Sequence, residues 1–192
     1  MVRAFLIHPL RARPGEAPDP CRPLFCRVFA GAAEEPPAQK ERLRAVARRV
    51  ETAFRLQQTL SGKRPSQHLH QPLLSDEAAV SLPETPSGVF RLPAGDPFPE
   101  DVTVLWLGVQ ALAFVLVCDP EENLMLAEAT LKLLANALLE HLKLLTPGSE
   151  ALLKADRTEA VLEKFLPHGQ LLFLNDQFVV GMERELSLHL GK

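Results

Sequence analysis

Val102-Thr-Val-Leu-Trp-Leu-Gly-Val-Gln-Ala-Leu-Ala-Phe-Val-Leu-Val-Cys118 is the longest apolar run in the chain. A membrane-spanning helix needs about 20 apolar residues in succession, and this run falls short of that, with Gly108 and Gln110 interrupting it. It reads instead as two strands, Val102 to Leu107 and Leu112 to Val117, joined by an uncharged tight turn around Leu107-Gly108. Both strands are apolar on both faces, as central strands covered by helices on either side would be.

Downstream, Asp119-Pro-Glu-Glu-Asn123 leads into a helix from about Leu124 to Leu145. Asn123 suits the N-cap, and the acids lie near the positive end of the helix dipole. Pro147-Gly148 ends this helix, a second runs from about Glu150 to Phe165, Pro167-His168-Gly169 breaks the chain, and a third runs from about Gln170 to Leu188. Upstream, Gly88 to Leu92 is a short strand. Met1 to His8 and Leu24 to Ala30 form a hairpin across a proline- and arginine-rich loop. After Pro36-Pro37 a helix carries Leu43, Val46, Ala47, Val50, Ala53, Phe54 and Leu60 on one stripe. The polar, proline-punctuated residues 62–87 form a flexible insertion in a single domain spanning 1–192. Two strands, a helix, three strands and three helices make an α/β (α+β) fold: a five-stranded antiparallel sheet with helices packed on it.

The 192 residues suit one domain, and 46% hydrophobic against 23% charged residues is near the globular average. A net charge of -3 argues against nucleic-acid binding, which needs a basic surface. Cys21, Cys26 and Cys118 form no disulfide framework, and an odd count fits a reducing, cytosolic compartment. The apolar opening is too short for a signal peptide, and Val2 excludes myristoylation.

Chemistry is sparse. There is no nucleophile elbow, metalloprotease pair, paired-cysteine motif or complete phosphate loop. His68-x-His70 is too little for a metal site, His141 and His168 stand singly, and no catalytic residue, metal site or cofactor is expected. Two features suggest binding. Arg44, Arg48 and Arg55 lie together on the side of their helix opposite the apolar stripe, where an acidic lipid headgroup or peptide would dock; a solvated face is the commoner meaning. On the helix after Asn123, Leu131, Leu134 and Leu138 make one stripe, and Leu126, Leu133, Ala137 and Leu144 make a second. One stripe covers the sheet, so the second meets either the chain's own C-terminal helices or a partner protein.

Several stretches resemble the small (sigma) subunits of adaptor-protein complexes. Met1-Val-Arg-Ala-Phe-Leu-Ile is similar to their opening strand, and Thr103 to Asp119 to their two central strands. Glu121-Glu-Asn-Leu124 through Glu128 resembles the start of their long helix, and Asn175-Asp-Gln-Phe-Val-Val-Gly181 with Arg184-Glu185 their closing motif. Phe165-Leu-Pro-His-Gly-Gln-Leu-Leu-Phe-Leu-Asn-Asp-Gln-Phe178 is similar to the sigma subunit of the fifth adaptor complex and not to the clathrin-associated ones. The resemblance implies a longin-like fold and a non-enzymatic role beside two large subunits and one medium subunit. It implies transport at late endosomes and lysosomes, with spatacsin and spastizin as scaffold partners and membrane association through the complex. Arg22 keeps a position that helps hold acidic dileucine signals in that family, but the lysine and tryptophan that follow there are replaced by Leu24-Phe25-Cys26. Two other readings stand beside this one: a longin-type subunit of a tethering or GTPase-regulating complex, and a small cytosolic enzyme.

Overall fold

The computed structural model describes residues 1–10, 23–29, 36–61, 85–95, 97–109, 111–142, 155–173 and 175–190. At its centre β4 (Val102–Val109) and β5 (Leu112–Cys118) form an antiparallel hairpin with no exposed residue in either strand. β1 (Val2–Pro9) pairs with the other side of β5, β2 (Phe25–Val28) closes one edge, and β3 (Ser87–Leu92) closes the other. The order across the sheet is β2-β1-β5-β4-β3, every pair antiparallel. This is the expected sheet.

Side chains alternate along a strand, so the central hairpin builds a core on each face. On one face Val104, Trp106, Val115 and Val117 meet Leu43, Val46, Val50 and Phe54 of α1 (Pro36–Leu60). Phe54 stands edge-on to Trp106, ring centroids 6.1 Å apart. On the other face Leu105, Leu107, Phe114 and Leu116 are covered by α2 (Leu124–Leu142), α3 (Ala155–Phe165) and α4 (Asp176–Leu190). Ion pairs tie the outer elements down, Arg27 of β2 to Glu159 of α3 and Lys164 of α3 to Glu185 of α4.

Three boundaries differ from the sequence reading. The central turn is not at Leu107-Gly108: β4 continues to Val109, with Gly108 paired to Ala113. Glycine there gives close packing, because a Cβ would lie 3.1 Å from Leu10 and 3.4 Å from both Phe54 and Pro86. The polar insertion, expected to reach Ser87, gives way earlier. Ser87 already pairs with Leu107, and the Gly108 amide donates to the Pro86 carbonyl at 2.8 Å; residues 62–84 lie outside the described residues. The last helix starts at Asp176 rather than Gln170. Asn175 caps it, its Oδ1 accepting the Phe178 amide at 2.8 Å.

Before that cap, Pro167–Gly169 form a single 3-10 turn against the start of the sheet. Gly169 has φ +77°, and a Cβ there would lie 2.5 Å from the Val2 carbonyl oxygen and 2.6 Å from Phe29. Alanine would suffer both the backbone strain and the overlap. Gly169→Ala is expected to cost about 3 kcal/mol, which lowers the melting temperature by about 6–12 °C. Gly181→Ala, on an open helix face with nothing within 4 Å, should leave it unchanged or raise it; thermal unfolding of both variants checks the contrast.

Candidate interaction surfaces

The densest polar cluster joins the chain's first residues to the β5–α2 junction. The Met1 ammonium pairs with Asp119, 3.1 Å away, and with Glu122; Arg3 pairs with Asp119 and with Glu100. The Asp119 amide donates to the Met1 carbonyl at 3.0 Å, and Asn123 Oδ1 accepts the Leu126 amide at 3.1 Å, capping α2 as expected. Partial burial works against the Asp119 carboxylate, but the Arg3 and Met1 hydrogen bonds outweigh it and hold its pKa below the ordinary value of 3.8. The Met1 hydrogen bond does the same for Glu122. Behind them Cys118 is buried and its thiol is pushed up to about 12 by burial, so it is an inert core residue.

Of the second α2 stripe, Ala137 is buried within the chain's own core, Leu133 packs against that core, and Leu126 is half-buried. Both α3 and α4 pack on α2, and the buried part of this stripe belongs to the core they share with the sheet. Leu144 lies outside the described residues, as does Arg22. Arg48 and Arg55 are exposed on α1, but Arg44 is half-buried. At about 100° per residue Arg48 lies about 140°, Arg55 about 120° and Arg44 about 100° round from the middle of the apolar stripe, so the first two border the outward side and Arg44 lies on its flank. Glu41 is 3.5 Å from Arg44 and 3.7 Å from Arg48, while Arg55 holds the buried Glu51 at 2.5 Å.

The surface that the sequence reading missed is on α4. That helix buries Met182 and Leu186, yet leaves Phe178 51%, Val180 45% and Leu188 74% exposed; at about 100° per residue Phe178 borders the buried side, Leu188 lies about 80° further round and Val180 about 80° beyond that. Phe173, just before it, is 91% exposed. The signal was present: Phe178, Val180, Met182, Leu186 and Leu188 do not fall on one stripe, so a single packing face cannot bury them all. Gly181 adds an open notch between Phe178 and Leu188.

Among the described residues no three metal-ligating side chains converge, and no helix is long and apolar enough to cross a membrane. His168 is exposed, with Nε2 3.9 Å from Glu163. His8 is buried on β1, where desolvation lowers its pKa, and its Nδ1 lies 3.1 Å from the Pro9 carbonyl oxygen. The family model described as AP-5 complex subunit sigma-1 matches residues 1–187. A human AP-5 complex subunit sigma-1 is 54% identical over 97% of this chain and 98% of its own, and a mouse AP-5 complex subunit sigma-1 is 50% identical over 77% and 92%. The chain belongs to the AP-5 sigma-1 family.

It is therefore a structural, non-enzymatic small subunit of an adaptor complex. A chain of a structure titled as a homology model of the full-length AP-3 complex in a stretched open conformation superposes with a TM-score of 0.55 at 18% identity, covering 98% of this chain and 95% of that one. At that identity the likeness shows the longin-like fold alone. The stretches that carry the family resemblance have structural work to do here: Arg3 and Asp119 lock strand to helix, Asn123 and Asn175 cap helices, and Gly169 makes the turn.

Because the folded pKa of Asp119 is depressed, its contribution to stability is fully present above about pH 4, near the unfolded value, and is lost as the pH falls through the lower folded value. Asp119→Asn should melt a few degrees lower at neutral pH. Its melting temperature should also fall less steeply than that of the parent chain below pH 4, which a pH series of thermal unfolding checks.

Proposed function

We propose that this chain is the small subunit of a cytosolic four-chain adaptor, beside two large subunits and one medium subunit, serving vesicle-mediated protein transport at late endosomes and lysosomes. Spatacsin and spastizin are the proposed scaffold partners, and the complex as a whole provides the membrane association. Family membership supports the adaptor role; the exposed face of α4 is the observation that carries binding as the mechanism.

A helix on the outside of a folded domain keeps its apolar residues on its inner stripe unless something else covers the rest. Phe178 and Leu188 of α4, and Phe173 just before it, are exposed. Interfaces in permanent assemblies resemble a core cut in half and are rich in aromatic anchors. The half-buried Leu126 extends the interface first read from the α2 stripe, while Ala137 and Leu133 serve the fold.

Phe178→Ser with Leu188→Ser should keep the melting temperature of the chain and lose the other adaptor subunits in co-precipitation. Leu133→Asp should instead unfold the chain, because it sets a carboxylate against the core. Retention of all subunits by the stable α4 variant would refute α4 as the contact.

A further inference from the structure

The charge of this chain is strongly polarised. α1 carries Lys40, Arg42, Arg44, Arg48, Arg49 and Arg55 against Glu41 and Glu51, a formal +4. The chain totals -3, so everything outside α1 sums to -7. α1 is thus a net positive outer layer on a fold whose remainder is net negative.

The placement of the positive charge on that helix matters as much as its amount. Leu43, Val46, Ala47, Val50 and Phe54 face the sheet. On the outward side, Arg48, Arg49, Thr52, Arg55, Leu56 and Thr59 fall within an arc of about 120°, and all six are exposed. Leu60 follows at the helix end; Leu56 is 59% and Leu60 79% exposed. Glu41 does not neutralise this face, since its contacts to Arg44 and Arg48 are long and solvent-exposed.

We propose that the outer face of α1 docks directly on an anionic membrane surface. The three outward arginines, Arg48, Arg49 and Arg55, span about 10 Å along the axis on the convex surface of a helix, which suits a flat array of headgroups better than one acidic side chain. The leucines at the C-terminal end suit the boundary between headgroups and acyl chains, where amphipathic helices rest. Each basic residue near an anionic leaflet contributes about a fivefold gain in partitioning. The same leaflet repels the negative remainder of the molecule, which turns α1 toward it. This inference rests on the reading of the chain as an adaptor subunit at a membrane, and adds a lipid contact made by the subunit itself.

The test is sedimentation of the purified full chain with phosphatidylcholine vesicles, with and without phosphatidylserine. Arg48 and Arg49 are the residues to change, because Arg55 is committed to the buried Glu51. The chain should sediment with the phosphatidylserine vesicles only, and less so as salt is raised. R48Q/R49Q should lose about fivefold for each arginine removed at an unchanged melting temperature, and R48K/R49K should retain binding. Equal or absent binding to both vesicle types, or binding that R48Q/R49Q leaves intact, would overturn the proposal. So would loss of binding in R48K/R49K, which would point to a shaped site for guanidinium. Co-precipitation of adaptor subunits is read separately. If R48Q/R49Q releases those subunits while the parent chain ignores vesicles, α1 is a protein contact, and the adaptor reading stands without the lipid one.

Discussion

A hairpin with no exposed residue is the constraint on which everything else in this molecule rests. β4 and β5 can satisfy their backbone only if strands flank them on both sides, and can bury their side chains only if helices cover both faces. β1 meets the first demand beside β5 and β3 meets it beside β4. α1 covers one face and α2, α3 and α4 cover the other. The chain's first strand is therefore an interior strand, and its end is fastened by Arg3 and Asp119 to the point where β5 turns into α2. That corner joins the opening of the chain, the central hairpin and the long helix.

Most of this was legible because burial on both faces leaves a direct trace: a strand covered twice has no polar alternation to show. Helix starts were legible where a capping residue stood in the open, as at Asn123. The misreadings have physical reasons. Gly108 looks like a turn, but its missing side chain makes room for Leu10 and Phe54 while the strand continues. Leu171 and Leu172 look like helix, but the turn at Gly169 packs against Val2 and Phe29, and α4 begins only after Asn175 caps it. Three arginines at helical spacing show that they cluster but not how exposed each will be, and Arg44 is half-buried while Arg48 and Arg55 are exposed.

The candidate binding surface was the least legible part. The sequence shows that α2 is apolar on two sides, and of the second side Ala137 is buried in the chain's own core and Leu133 packs against it. The surplus appears on α4 instead, where Phe178 and Leu188 stay exposed among the described residues. Which of several over-apolar helices keeps an exposed face depends on the order of packing, which a periodicity count does not contain. The resulting molecule has two distinct outer faces, a basic one on α1 and an apolar one on α4.

That division of surfaces makes sense only for a chain that works inside a larger particle. The central claim is best tested by isolating the endogenous chain under native conditions and weighing the particle that carries it. The account predicts one copy of this chain with two different large subunits and one medium subunit in equal numbers. Recovery of the chain alone, or bound to a GTPase with no adaptor subunits present, would contradict it.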